Sequence, residues 1–280
     1  MTATRKSDFD NRLYDYRPNW TALSVNLSFN TAIVPTAFKE AFVDPILKKD
    51  SLDHEVFKNF RPISNLSFIS KATVKAVAVR LNHHLEDASL HDTFQSAYKK
   101  GHNTETAPAR IHNDILRAID DGECVILVLL HLSAAFDTVD HYILITRLKH
   151  RFGITRKALG WIQSYLSERT QFVKIGAERS SSRNLFCGIS QGSVLGPILY
   201  SMYTSPLTDI VSKHNMNHHF YADDSQIYLS FKPSAAGEPT TSKLRIESCI
   251  HDVNNWMSAN KLLLNHDKTE LLVLHVRHRP

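Results

Sequence analysis

The chain has 280 residues, 42% of them apolar, enough to bury a core in one large or two modest domains, and a formal net charge of +5 that permits a nucleic-acid partner without demanding one. It contains no apolar run of 18 residues, and "MTATRKSDFDNRLYDYRPNW" lacks the apolar centre of a signal peptide, so nothing points to a membrane or to secretion. The three cysteines, Cys124, Cys187 and Cys249, are too far apart for a CxxC site or a disulfide framework and read as core residues of a reducing compartment, cytoplasm or nucleus.

Residues 1–20 are polar and aperiodic and read as a disordered lead-in. After "FRPISNL", Ser70 is a candidate cap for a helix whose apolar positions Val74, Val77, Ala78, Leu81 and Leu85 follow the 3.6-residue period. A second helix is predicted from about Thr104 to Gly122, followed at once by a strand over 124–132. "DHYILITRLKHRFG" and "TRKALGWIQSYLSER" read as helices, the first stopping at Gly153 and the second capped by Thr155, and "QFVKIG" and "RNLFCGI" as short strands. "HHFYADDSQIYLSF" reads as two strands joined at Asp223–Asp224, and a last helix over about 242–259 precedes the strand "ELLVLHV". Helices mixed with short hairpin strands favour an α+β fold over a doubly wound parallel sheet.

The charge is unevenly placed. Residues 141–185 hold nine Lys or Arg against Glu168 and Glu178, a net +7, so the rest of the chain is close to neutral. Arg147, Lys149, Arg156 and Lys157 are the candidate contacts of that segment for a nucleic-acid backbone. The histidines, 16 in all, do not have zinc-ligand spacing: His83–His84 and His218–His219 are adjacent pairs, and no HExxH occurs.

Taken singly, the chemical motifs are weak. An Asp-Asp pair in a turn is ordinary turn chemistry, and "GISQGSVLGPILY" is a glycine-rich turn that launches a helix, with Pro197 suited to its first position. Taken in order, "LLHLSAAFDTVDH", "GISQGSVLGPILY", "YADD" and "WMSANKLLLNHDKTE" resemble the palm motifs of reverse transcriptases, those of LINE-type (non-LTR) retrotransposons. Upstream, "VPTAFKEAFVDPILKKDSLDHEVFKNFRPISNLSFISK" and "FQSAYKKGHNTETA" are similar to the fingers region of that family, so the resemblance runs from about residue 22 to 272.

The resemblance implies a right-hand polymerase: fingers over 21–123 and palm over 124–280, with an antiparallel palm sheet packed on helices. No thumb is expected, since the chain ends soon after "KTE". It implies an RNA-directed DNA polymerase that extends a DNA primer on an RNA template with deoxynucleoside triphosphates, with no membrane partner. Catalysis would use Mg2+, with Mn2+ as the substitute. Two such ions activate the attacking oxygen and stabilise the leaving one in an in-line phosphoryl transfer, and they prefer carboxylate ligands. Carried over, the metal ligands fall on position 131, Asp223 and Asp224, and position 131 is His.

Asp137, six residues on, is roughly 20 Å away along a strand and cannot replace the missing carboxylate. Imidazole is neutral and suits zinc or copper better than Mg2+, so His131 predicts weakened metal binding and impaired activity. Phe136 matches the aromatic that lies under the incoming sugar, and it reads equally as a core aromatic. Gln191, Gly192 and Tyr221 match the nucleotide path. Arg61 matches the residue that holds the triphosphate, and Lys268 the lysine that protonates pyrophosphate; each reads also as a solvated surface residue. The chain departs from the family at Ala97, Tyr98 and Lys99, where Gly-Phe-Arg is usual, and at Ser190, where Pro is common. The alternative function is a noncatalytic nucleic-acid-binding remnant of a retrotransposon.

Overall fold

The computed structural model describes residues 20–97, 105–133, 135–190, 192–233 and 236–275, so the expectations for residues 1–19, Tyr98, Lys99 and Gln191 lie outside the described residues. The strand expected over 124–132 forms in two parts, β3 (Cys124–Leu130) and β4 (Leu132–Ser133), separated at His131. β3 is apolar throughout because both of its faces are covered. Val125 and Leu127 meet Ile111, Ala118 and Tyr228, whereas Ile126, Val128 and Leu130 enter the main core.

The partners of β3 are β9 (Asp224–Phe231) and β11 (Glu270–Leu274), both antiparallel, and β8 (Asn217–Tyr221) completes the sheet order β11-β3-β9-β8. The helix α3 (Thr106–Asp120) supplies Ile111 and Ala118 to one face. The helix α8 (Glu238–Ala259) supplies Ile246, Cys249, Val253 and Met257 to the core on the other. The expected α+β class, an antiparallel sheet packed on helices, is what the chain forms.

A second sheet joins segments more than 100 residues apart. The strands β1 (Glu40–Leu47) and β2 (Phe60–Asn65) pair antiparallel, and β1 runs parallel to β5 (Arg169–Ile175), which also pairs with β6 (Glu178–Arg179) and β7 (Arg183–Leu185). Strand pairing therefore crosses the 123/124 boundary drawn from the sequence. A parallel neighbour needs a long crossover, and periodicity along one segment does not reveal it.

The helix α2 (Phe68–Asp87) is capped by Ser67, whose Oγ accepts the Ser70 N–H at 3.3 Å. Ser70, the expected cap, instead lies buried inside the first turn and donates its hydroxyl to Phe38 O at 3.0 Å. The helix α4 (His141–His150) is capped by Asp140, which accepts the Ile143 N–H at 3.0 Å; α5 (Arg156–Leu166) starts after Thr155, which makes no side-chain capping bond. The helix α6 (Gly196–Thr204) has Pro197 in its first turn and leads into α7 (Pro206–Lys213). Of the three cysteines only Cys249 is buried; Cys124 is half-buried and Cys187 exposed, which corrects the reading of all three as core.

The basic segment also changes character in three dimensions. Arg147 turns inward: it donates to Tyr203 O and, at 2.6 Å, to Asn260 Oδ1, and its guanidinium lies 4.9 Å from the Tyr203 ring centre and 5.3 Å from that of Trp256. Tyr203 in turn donates its hydroxyl to Asn260 O at 2.5 Å. Arg147 thus ties α4, α6 and the end of α8 together, a use that replaces the backbone contact expected from sequence. Arg169 is buried against the Tyr165 ring, and Arg151 pairs with Asp209 at 2.5 Å. Lys149, Arg156 and Lys157 remain exposed.

Replacing Arg147 with Gln removes hydrogen bonds from a half-buried junction and is expected to cost about 2 kcal/mol of stability. Urea unfolding should show that loss, while Lys149→Gln on the same helix changes stability by less than about 0.5 kcal/mol.

Candidate active site

The register of β3 and β9 builds the site. Leu130 stands opposite Ser225, so the next step of the ladder sets His131 opposite Asp224. Their side chains meet: His131 Nδ1 lies 2.9 Å from Asp224 Oδ1, and both groups are partly open to solvent. The strands β8 and β9 form a hairpin closed by the Tyr221–Asp224 pair, with Ala222 and Asp223 at the turn. Ala222 has φ of +57°, which costs a non-glycine residue about 1 kcal/mol, and the turn is held from outside. The buried Gln95 accepts the Ala222 N–H at 3.2 Å and the Ala97 N–H at 3.0 Å through Oε1. Around it, Ser96 N–H bonds Phe220 O at 3.0 Å and Phe220 N–H bonds Phe94 O at 2.7 Å. Gln95 was not singled out from the sequence. The glutamine of "FQSAY" gives no local signal, since its partner turn is 127 residues away.

The third segment arrives through β10 (Leu263–Leu264), which pairs antiparallel with β4, and Asn265 N–H bonds His131 O at 2.9 Å. Lys268 follows in a short turn, exposed, with its positive charge acting on Asp224. Asp224 is therefore the common neighbour: His131 meets it directly, and the charges of Asp223 and Lys268 act on it. Burial and then the like charge of Asp223 push the Asp224 carboxyl above its usual range, and His131 and Lys268 pull the other way. Asp137 is also raised, by burial.

The glycine-rich turn docks on two sides. Gly188, at φ +82°, lies so close to Asp137 that an added Cβ would be 2.7 Å from its carbonyl oxygen. Gly188 N–H bonds Val139 O and Ile189 N–H bonds Phe136 O, both at 2.8 Å. Gly192, at φ +92°, would place a Cβ 3.3 Å from Ser64 O and 3.6 Å from Ile63 Cγ2, so the turn abuts β2 on the strand that carries the exposed Arg61. Phe136 is half-buried, its ring 4.7 Å from that of Tyr200, and Tyr221 is half-buried beside the carboxylates. No described contact joins Arg61 to the Asp223–Asp224 pair. Lys149, Arg156 and Lys157 lie on α4 and α5, on other elements than the carboxylates.

The donor set does not suit a pair of magnesium ions. Two neighbouring carboxylates are present, but the third position carries an imidazole nitrogen already engaged with one of them. Among the described residues no three His, Cys, Asp or Glu side chains converge as a ligand group.

The chain has a polymerase fold and matches the family described as reverse transcriptase (RNA-dependent DNA polymerase) over residues 46–278, so it belongs to that family. The relatives it matches include proteins of transposons and mobile elements. It is 33% identical over 188 residues to a probable RNA-directed DNA polymerase from transposon BS of Drosophila melanogaster, covering 67% of this chain and 20% of that protein. It is 29% identical over 233 residues to the RNA-directed DNA polymerase from mobile element jockey of the same species, covering 80% of this chain and 25% of that one. The chain thus spans about a fifth to a quarter of the length of these curated relatives. Among solved structures it is similar to apo telomerase from Candida tropicalis truncated from the C-terminal domain, with TM-score 0.61 and 15% identity, over 93% of this chain and 56% of that one. That likeness speaks for the fold alone.

The Asp224 balance is testable without catalysis. Because its carboxyl is raised in the folded state, its ionisation weakens the fold as pH climbs from the ordinary Asp value, about 3.9, through the raised one. His131→Asn should raise the Asp224 midpoint further and Asp223→Asn should lower it, as read by carboxylate NMR titration. Midpoints insensitive to both substitutions would show that the three side chains do not act on one another.

Proposed function

We propose that the chain is the catalytic region of an RNA-directed DNA polymerase of the LINE type, in a copy whose nucleotide addition is impaired. The observation that carries this reading is His131 facing Asp224 across β3 and β9, at the strand end where the family resemblance calls for an acid. Family membership over residues 46–278 supports the substrate class: an RNA template, a DNA primer and deoxynucleoside triphosphates. Mg2+ is the cation this reading calls for, and His131 weakens its retention by taking away a negative ligand and engaging Asp224. No metal-dependent step is assigned to the chain as it stands.

Several residues keep roles on this reading. Arg61, on β2, holds the triphosphate; Phe136 lies under the incoming sugar; Gly192 and Tyr221 line the nucleotide path; and Lys268 serves as the proton donor near Asp224. Primer extension by the whole chain in Mg2+, run beside His131→Asp, tests the proposal. If three carboxylates restore several kcal/mol of transition-state stabilisation, the variant gains on the order of a thousandfold in rate. Equal, negligible rates in the two proteins would refute impairment at His131 and favour the noncatalytic reading.

That second reading rests on the exposed Lys149, Arg156 and Lys157. Each phosphate neutralised releases a counterion worth about 0.7 to 0.9 in the slope of log affinity on log salt, so three contacts give a slope of roughly −2 to −3. Replacing these three residues with Gln should flatten the slope in a salt titration with single-stranded RNA. An unchanged slope would make the cluster a solvated face.

A further inference from the structure

The helix α1 (Trp20–Thr31), the middle of α2 and the start of α5 enclose an open-mouthed cavity of about 450 Å3. The volume lies within the range of small-molecule sites. The cavity is built from other elements than the β8–β9 hairpin, the end of β3 and the turn after β10, which carry the carboxylates, His131 and Lys268, so nucleotide addition does not account for it.

The chemistry of the wall selects a ligand. Val77, Leu81, Ile154 and Ile162 give an aliphatic lining, and Phe29 and Trp161, edge to face at 6.1 Å, give the aromatic part. Two polar side-chain atoms of the wall are already engaged. Trp161 Nε1 donates to Ser28 Oγ at 2.9 Å, and His84 Nε2 donates to Phe152 O at 2.8 Å. The mouth is cationic: Lys157 is exposed there, and the Arg80 guanidinium sits 4.6 Å from the Phe29 ring centre. Among the described residues, no acidic side chain lines the cavity.

A mainly apolar wall rewards a body with few hydrogen-bonding edges, and two cations at the rim reward one negative head. A nucleobase fits less well. Buried ring edges need partners, and the Thr155 hydroxyl is the main group the wall has to offer.

We propose that this cavity is a binding site for a small amphiphilic anion, an apolar tail or aryl body held between α1, α2 and α5 with its carboxylate against Arg80 and Lys157. Calorimetric titration of the whole chain with three ligands of one tail tests it: decanoate, decanamide and decyltrimethylammonium. Decanoate should bind one to one, decanamide about tenfold more weakly for want of two partly exposed ion contacts, and the cation not measurably. The double substitution Arg80→Gln with Lys157→Gln, both at the surface, should bring decanoate down to the level of decanamide. Ala158→Trp, which fills the mouth from an exposed position on α5, should abolish binding of both; if that variant fails to fold, the Gln pair decides alone. Absence of saturable decanoate binding below its micellar concentration would overturn the proposal. So would equal affinity for the three head groups, or tighter binding of adenosine monophosphate than of decanoate at the same site. Because the readout is binding by the unmodified chain, its result is independent of whether His131→Asp restores polymerisation.

Discussion

Everything at the candidate site depends on the register between β3 and β9. With Leu130 opposite Ser225, residue 131 must face residue 224 across the sheet. A slip of one residue would turn Asp224 to the opposite face and drive alternate apolar side chains of β9 out of the core. The register is held because β3 is buried on both faces, Val125 and Leu127 packing toward α3 and Ile126, Val128 and Leu130 toward the main core, and β9 buries Ile227, Leu229 and Phe231 in that same core. Tyr228 adds a specific lock on the α3 side, donating its hydroxyl to Asp114 at 2.5 Å.

Around that ladder, the site is assembled by backbone approach more than by side-chain contact. Gly188 admits Asp137, Gly192 admits Ser64, and the Asn265 N–H reaches His131 O. Gln95 completes the arrangement by holding the Ala222 turn that presents Asp223 and Asp224. Farther out, the Arg147–Tyr203–Asn260 junction fixes the end of α8, from which the chain runs into β10 and on to Lys268. Much of this framework is independent of which side chain stands at position 131, since the strand ladder continues through β4 on its far side.

The electrostatics of the site follow from the same placement. Two adjacent carboxylates at a partly buried turn repel each other, and a cation is the natural remedy. Here His131 and Lys268 supply the opposing influence, and both side chains belong to the protein. A third carboxylate at position 131 would remove one of these influences and raise the demand for a bound cation. On α1, α2 and α5 the problem is inverted: cations rim an apolar hollow, and the complement is an anion with an apolar body.

The linear sequence determined the family through the order of its motifs, and the apolar run of β3, the helices after Asp140 and Thr155 and the Asp223–Asp224 hairpin through local periodicity and turn chemistry. Those signals are short-range, so they survive in a linear reading. What only the tertiary structure decided has long-range causes. Ser70 gives its hydroxyl to Phe38 O, 32 residues upstream; Gln95 matters because of a turn 127 residues away; and β5 joins β1 across a sequence gap of more than 100 residues. Arg147 shows the limit most clearly. Its charge and its spacing from Lys149 suggest a solvated basic face, yet the rings of Tyr203 and Trp256 and the amide oxygen of Asn260 offer its guanidinium more than water does, and those partners lie 56 to 113 residues downstream.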